Sequence, residues 1–273
     1  MNYRHAFHAG NFADLVKHAA LLQLIGLLTR EGGPLRVIDT HAGRGVYDLA
    51  GPEARKSGEA AAGIARLMAA ADAPAGFAPL KAAVSTLNAG GPVRRYPGSP
   101  WLIAHAIRPS DSYLACELRA DEQAALRRTL AGRRNATTLV GDGYEAARTR
   151  TPTSGQTLLL IDPPFERADD YGRIVETAGA VRRRNRHAVL MVWLPLKDLT
   201  TFDAFLSAFE DAVEAAPLVT ETRIRPLTDP MKMNGCALVL LGAPEAIADP
   251  LEAICRWTAE TLGEAGEARI YGA

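Results

Sequence analysis

The chain has 273 residues, 48% of them apolar and 23% charged, and its 31 basic residues are balanced by 31 acidic ones. That size and balance suit one large domain with a core of its own. They exclude a disordered chain and argue against a dedicated non-specific nucleic-acid binder, which would be more basic overall, though they leave room for a local basic face.

In chain order, residues 11–30 read as a helix, with Asn11 as N-cap, Asp14 three positions on, and Gly32, Gly33 and Pro34 as the stop. The short apolar strand "LRVIDT" (35–40) follows and runs into "HAGRGVYDLAG". Residues 52–92 are Ala-rich and helical in period, broken by Pro and Gly, and predict two or three short helices without a strand. Next come "YPGSP", a helix around 101–107 and the strand "SYLACEL" (112–118). A helix then alternates with each of the strands "TTLVGD" (137–142), "TLLLI" (157–161) and "AVLMVWLPL" (188–196), the helices after the last two covering about 170–184 and 198–214. Two strands joined by a loop, "ETRIRPL" and "ALVLLGA", predict an antiparallel pair at one edge, and an amphipathic helix covers about 248–262.

Apolar strands alternating with helices indicate an α/β fold, a largely parallel seven-stranded sheet covered on both faces. We expect one domain over 1–273, with 52–92 as a helical insertion subdomain between the first and second strands. Cys116, Cys236 and Cys255 have no metal-type spacing, and the first two sit in apolar runs as buried thiols. The polar, aromatic start "MNYRHAFHAGNFADLVKH" is unlike a secretory signal, and the apolar run "AALLQLIGLL" covers about half a membrane span. A cytoplasmic protein without membrane or metal partners is therefore expected. His5 and His8 read as a surface cluster, and Asp14 and His18, four apart, as a surface pair. "RRRNRH" (182–187) reads as a solvated helix end, with RNA phosphate contact as the alternative. Trp193 reads as core.

Ligands of an open α/β sheet bind beyond the C-terminal ends of the strands. What stands there is acidic and glycine-rich: Asp39, His41, Gly43 and Gly45 after the first strand, Glu117 after the second, Asp142 and Gly143 after the third. Glycines admit close backbone approach, and a carboxylate ending the second strand suits a ribose diol. Gly45 to Glu117 spans 72 positions, against roughly 20 in the usual dinucleotide fingerprint; an insertion at 52–92 accounts for the excess. The turn lacks the third glycine of that fingerprint, and three acids repel phosphates. An adenosine carrying a sulfonium cation fits better, which points to S-adenosylmethionine.

The fourth strand ends in "DPPF", 162–165. Its prolines cannot donate to the ladder, and they stiffen the bend. Asp162 and the Pro163 carbonyl then offer two acceptors beside the ring of Phe165. A flat, amino-bearing ring matches that set: two N–H donors and a face to stack, worth about 1–3 kcal/mol per base. Alternatives that share these residues are a DNA adenine or protein-amide methyltransferase, a non-catalytic RNA-binding relative and, more distantly, a nicotinamide oxidoreductase.

"DPPF" matches the [DN]PP[FYW] motif of class I S-adenosylmethionine-dependent amino methyltransferases. With "YRHAFHAGNFADLVKH", "DTHAGRGVYDL", "KSGE", "YPGSP" and "LIDPPFE", the chain from residue 3 to about 243 resembles the bacterial family that methylates N6 of adenine 2030 in 23S ribosomal RNA. The resemblance implies a Rossmann-like sheet with a helical insertion. It implies that His18, His41, Ser99, Glu117, Asp142 and Gly143 line the S-adenosylmethionine pocket. It makes Asp162, itself against the cofactor, the catalytic acceptor, with Pro163 and Phe165 shaping the adenine slot and Tyr3, His5 and Lys17 touching the RNA. The implied partner is 23S ribosomal RNA, naked or in an early assembly intermediate, met by a monomer. Phe165 stands where many relatives have tyrosine, and Phe12 departs within the N-terminal motif; neither removes a needed group.

Overall fold

The computed structural model describes residues 4–30, 32–229 and 232–272. After a short 3-10 turn, His5–Phe7, come helix α1 (Phe12–Arg30), strand β1 (Arg36–Asp39) and strand β2 (Val46–Asp48). Helices α2 (Pro52–Ser57), α3 (Glu59–Ala62), α4 (Ile64–Ala69) and α5 (Ala78–Leu87) fill the Ala-rich stretch. Then follow β3 (Arg95–Pro97), α6 (Ser99–Ala106), β4 (Ser112–Glu117), α7 (Ala120–Thr129), β5 (Ala136–Val140), α8 (Gly143–Arg150), β6 (Thr157–Ile161) and α9 (Asp170–Arg184). The chain continues through β7 (Ala188–Leu196), α10 (Leu199–Val213), β8 (Leu218–Arg223), β9 (Gly235–Leu241), α11 (Ala248–Leu262) and β10 (Glu267–Tyr271).

The main sheet has the order β10-β8-β9-β7-β6-β1-β4-β5. Strands β5, β4, β1, β6 and β7 run parallel; β9, β8 and β10 join by antiparallel pairing. The described residues thus make eight strands where the sequence predicts seven. The extra one, "EARIY", alternates exposed and half-buried residues on the outer edge, so its apolar signal is weak. β8 also starts three residues before the expected "ETRIRPL", because Leu218 to Arg223 is the stretch that pairs with β9. β2 and β3 form a separate two-stranded antiparallel ribbon that the sequence does not announce.

Helix α1 begins where Asn11 Oδ1 accepts the Asp14 N–H at 2.9 Å, as the capping pattern requires. Beyond Asp14, Lys17 and His18 it is largely apolar all round because it is buried on nearly every side, packed against α5, α6 and α11. By length and composition it is the one helix among the described residues that could cross a membrane, yet 78% of its apolar window is buried inside the fold, as in a core helix. Each fully buried Leu or Ile contributes roughly 1.5–3 kcal/mol. α1 and α11 thus cover one face of the sheet, and α8, α9 and α10 pack on one another over the other. β6 is buried at every position, as a central parallel strand must be. All three cysteines are buried and unpaired thiols.

Candidate active site

β1 lies between β4 and β6, so the chain winds outward in both directions from it. The crevice at that reversal is where an open sheet accepts a ligand, and the C-terminal ends of β1, β4, β5 and β6 bring their acids to it.

Asp39, closing β1, is fully buried. Its Oδ2 accepts from Ser99 Oγ at 2.8 Å and from Tyr113 O–H at 3.1 Å, and its Oδ1 accepts from His41 N–H at 3.3 Å. Burial pushes its pKa up to about 6, against these donors. Ser99 is thus tied to the floor of the crevice. His41 lies above, its Nδ1 2.8 Å from Thr40 Oγ1 and its ring edge-on to Tyr144 at 4.8 Å; burial lowers its pKa to about 4.

The glycine turn takes positive φ at Gly43 (+66°) and Gly45 (+84°), where a side chain would be strained. Its tightness brings Gly43 N–H to Glu117 Oε2 at 2.9 Å, while Glu117 Oε1 accepts from Arg119 N–H at 2.7 Å. Burial raises the Glu117 pKa. Gly143 is required for a different reason: a Cβ there would stand 1.8 Å from the Thr40 carbonyl oxygen. Asp142 caps α8 by accepting from Tyr144 and Glu145 N–H, and its other oxygen meets Arg173, whose guanidinium lies 4.3 Å over the Tyr144 ring. Burial disfavours the Asp142 charge, but Arg173 and these backbone donors outweigh it and keep the pKa below the usual value. Leu118 and Val140, beside Glu117 and Asp142, are the large apolar side chains most exposed among the described residues, at 68% and 51%.

At the end of β6, Asp162 is partly exposed and Pro163 is buried. Phe165 holds φ +50°, a left-handed conformation costly for a bulky residue. Its ring packs against Tyr171 at 5.0 Å and Trp193 at 5.9 Å, so the ring is set by an aromatic cluster rather than by its backbone preference. Trp193 is half-buried in that cluster rather than wholly inside the core.

The N-terminal segment reaches the same crevice. Lys17 Nζ donates to Asp162 Oδ2 at 2.5 Å and lies 3.1 Å from Asp14 Oδ1. Asp14 is buried, and accepts from His5 Nε2 and Gly10 N–H, each at 2.9 Å. Burial opposes the Asp14 charge, but His5 and Lys17 outweigh it and hold its carboxyl well below the usual range. Asp14 and His18 are therefore no surface pair. His18 is 1% exposed, its Nδ1 is 2.8 Å from the Tyr96 hydroxyl, and burial lowers its pKa to about 3, so the ring is neutral. His5 and His8 each meet a carboxylate, His5 that of Asp14 and His8, through Nδ1, that of Glu59 of α3 at 2.9 Å. Tyr3 lies outside the described residues.

The structure thus gathers Asp162, Lys17, His5, Asp142, Gly143, Glu117 and His41 around one crevice and sets His18 and Ser99 beneath it. Sequence reasoning missed the Lys17–Asp162 pair, the Arg173–Asp142 pair and the three donors on Asp39. The first had a signal: Asp14, Lys17 and His18 share one face of an otherwise apolar helix.

The chain matches the family described as ribosomal RNA large subunit methyltransferase D, RlmJ, over residues 32–271. It is 30% identical to ribosomal RNA large subunit methyltransferase J of Haemophilus influenzae, covering 96% of this chain and 94% of that protein. The enzyme of the same name from Escherichia coli is 29% identical over 97% and 95%. A crystal structure of protein LPL1258 from Legionella pneumophila superposes with a TM-score of 0.87 at 25% identity, covering 97% of this chain and 98% of that one.

Proposed function

Because the chain belongs to this RlmJ family of ribosomal RNA large subunit methyltransferases, we propose that it methylates the exocyclic N6 of one adenine in 23S ribosomal RNA, adenine 2030 by likeness to the family. The observation that carries the adenine reading is the end of β6, where Asp162 and Pro163 are followed by Phe165, whose backbone takes φ +50° and whose ring packs on Tyr171 and Trp193.

The methyl donor is S-adenosylmethionine, which supplies a methyl group on a positively charged sulfur. The crevice fits it. Glycines 43, 45 and 143 let the two turns pack tightly against Tyr47, Thr129 and Thr40, Glu117 offers a half-buried carboxylate, Asp142 an acceptor, and Leu118 and Val140 an uncovered apolar surface beside them. We read Glu117 as the ribose partner and Asp142, Gly143 and His41 as lining the adenine end, with Ser99 and His18 shaping the floor.

On the acceptor side, Lys17 occupies Asp162 Oδ2 and leaves Oδ1 without a hydrogen bond among the described residues. Oδ1 and the Pro163 carbonyl accept the two N–H groups of the amine, and Phe165 stacks on the ring. Adenine nitrogen is a poor nucleophile because its lone pair is delocalised into the ring. Holding both protons to one side lets the nitrogen pyramidalise and aim that pair at the methyl carbon. As the N–C bond forms, the bond from the methyl carbon to sulfur breaks and its electron pair stays with sulfur as a neutral thioether, while one N–H proton leaves to Asp162 or to water. The base must leave its stack to reach the slot, which favours a loop or single strand. His5, Lys17 and Tyr3 are read as the RNA-side contacts. We further read 1–273 as one methyltransferase domain with 52–92 as its helical insertion, acting as a monomer on naked or early assembling RNA.

The test is transfer of labelled methyl from S-adenosylmethionine to 23S ribosomal RNA taken from a strain lacking the enzyme, followed by nucleoside mapping. Label as N6-methyladenosine at one position is expected. Label on DNA or protein alone, or at another atom, overturns the reading.

A further inference from the structure

Opposite the crevice lie the loops that feed the N-terminal ends of the parallel strands. Hydrogen bonds stitch them into one row: Asn135 Nδ2 donates to Arg108 O (3.0 Å), Arg108 to Thr29 O (2.9 Å), Arg36 N–H to Gln156 O (3.0 Å) and Asn185 Nδ2 to Gly155 O (3.0 Å). Helices α7, α8 and α9 all end on this face, because each runs back from the crevice to start the next parallel strand.

Three stretches of that row, 127–136, 150–157 and 182–188, contain nine arginines and no acid. Without those nine, the chain carries 22 basic residues (31 − 9) against 31 acidic ones, so its neutrality hides a strongly uneven distribution. Arg127, Arg128, Arg134, Arg150, Arg183 and Arg186 are exposed, and none has a carboxylate partner among the described residues. Cations at helix C-termini suit the helix dipole, and Arg182 and Arg184 do donate to the carbonyls of Ala188 and Thr151. That explains individual arginines in the last turns. It does not explain Arg134 and Arg186, which lie beyond the helix ends. Nor does it neutralise the sum.

We propose that this arginine face is a second RNA-docking surface, which grips phosphates of the substrate RNA at a segment remote from the methylated base. The inference rests on the ribosomal RNA reading above. The parallel strands between the two faces are as short as four residues, about 13 Å, so two arms of one folded RNA can hold both. Phosphate binding at such a face adds affinity and positioning, while the crevice reads the base.

The test combines R127Q, R128Q, R134Q, R183Q and R186Q in one variant, with the five Arg→Lys changes as a companion. Methyl transfer is measured on a short RNA spanning the modified position and on protein-free, full-length 23S ribosomal RNA. Filter binding of the long RNA is followed against salt, and a thermal melt checks the fold. The Gln variant is expected to keep its kcat and KM on the short RNA while its KM on the long RNA rises about tenfold. The slope of log affinity against log salt should fall by about 0.7–0.9 for each phosphate that the variant no longer neutralises, and the Lys variant should restore both. Equal KM changes on both RNAs, or a loss that lysine does not rescue, overturns the proposal. If the wild type transfers no methyl to ribosomal RNA, the functional reading fails by itself, and filter binding alone decides this face: unchanged affinity in the Gln variant refutes it, weakened affinity upholds it.

Discussion

Asp162 receives one of its partners from 145 positions away. The role proposed for it is read from four consecutive letters, because prolines impose their geometry locally. Lys17 is marked by resemblance, as an RNA contact, and by sharing one face of α1 with Asp14 and His18; that its ammonium seats on Asp162 follows from how α1 crosses the sheet, which that local pattern does not encode. Asp162→Ala should reduce methyl transfer below detection while leaving the melting temperature within a few degrees, since a carboxylate at the rim of a crevice does not support the core; near-normal turnover would remove it from the chemistry. Phe165 separates ring from backbone. Phe165→Tyr keeps the ring and should be nearly silent, while Phe165→Ala should raise the KM for RNA. Phe165→Gly should lose the ring equally but be more stable than the alanine variant by about 1 kcal/mol, because glycine accepts +50° without strain. Equal stability of the two, measured by denaturant titration, would show that the strain is relieved elsewhere.

At the scale of elements, the strands and helices from β4 to β7 are predictable because β4, β6 and β7 carry apolar runs of four residues or more, β5 is rich in β-branched residues, and the helices between them alternate with those strands. The misses share a cause. β10, β2 and β3 are short or half-exposed, and their pairing partners rather than their composition make them strands. The turn from β5 into α8 is a sharper case. Asp142 and Gly143 are visible in the sequence as a polar and a flexible residue, but that Gly143 presses on the Thr40 carbonyl depends on the distance between two neighbouring crossovers. Gly143→Ala should push the start of α8 away from β1, costing roughly 1–3 kcal/mol in stability and at least a tenfold loss of S-adenosylmethionine affinity by calorimetry. Unchanged affinity would mean that this helix end is not part of the cofactor pocket.

Over the whole molecule, buried titratable groups set a pH dependence of stability. His18 and His41 have folded pKa values near 3 and 4, whereas the unfolded chain takes up those protons below about 6.5. Stability therefore falls as pH drops from 6.5 towards 4. Asp39 works the other way: it keeps a proton in the fold up to about pH 6 that the unfolded chain releases near 3.8, so its contribution falls as pH rises across that window. The thermal midpoint should climb from pH 4 to 6.5, and Asp39→Asn should steepen the climb; a profile that falls over this range would contradict the assignment. None of this is legible in the sequence, since Asp39, His18 and His41 look like any polar residues until burial is known. The arginine face is half visible there: "RRRNRH" stands out, but its meeting with the ends of α7 and α8 needs the strand order.

Helix α1, largely apolar beyond Asp14, Lys17 and His18, is made well before α11, which covers one side of it. About 220 residues separate the end of one from the start of the other, and at about 5–20 residues per second that is roughly 10–40 s of translation. During that interval α1 can gain α5 and α6, and β1 can gain β4 and then β6, but the side of α1 that faces α11 waits to the end. The fold that lets the N-terminal segment touch Asp162 therefore leaves one side of α1 uncovered until α11 has emerged, and nascent chains stalled before residue 248 should aggregate when released where full-length ones do not.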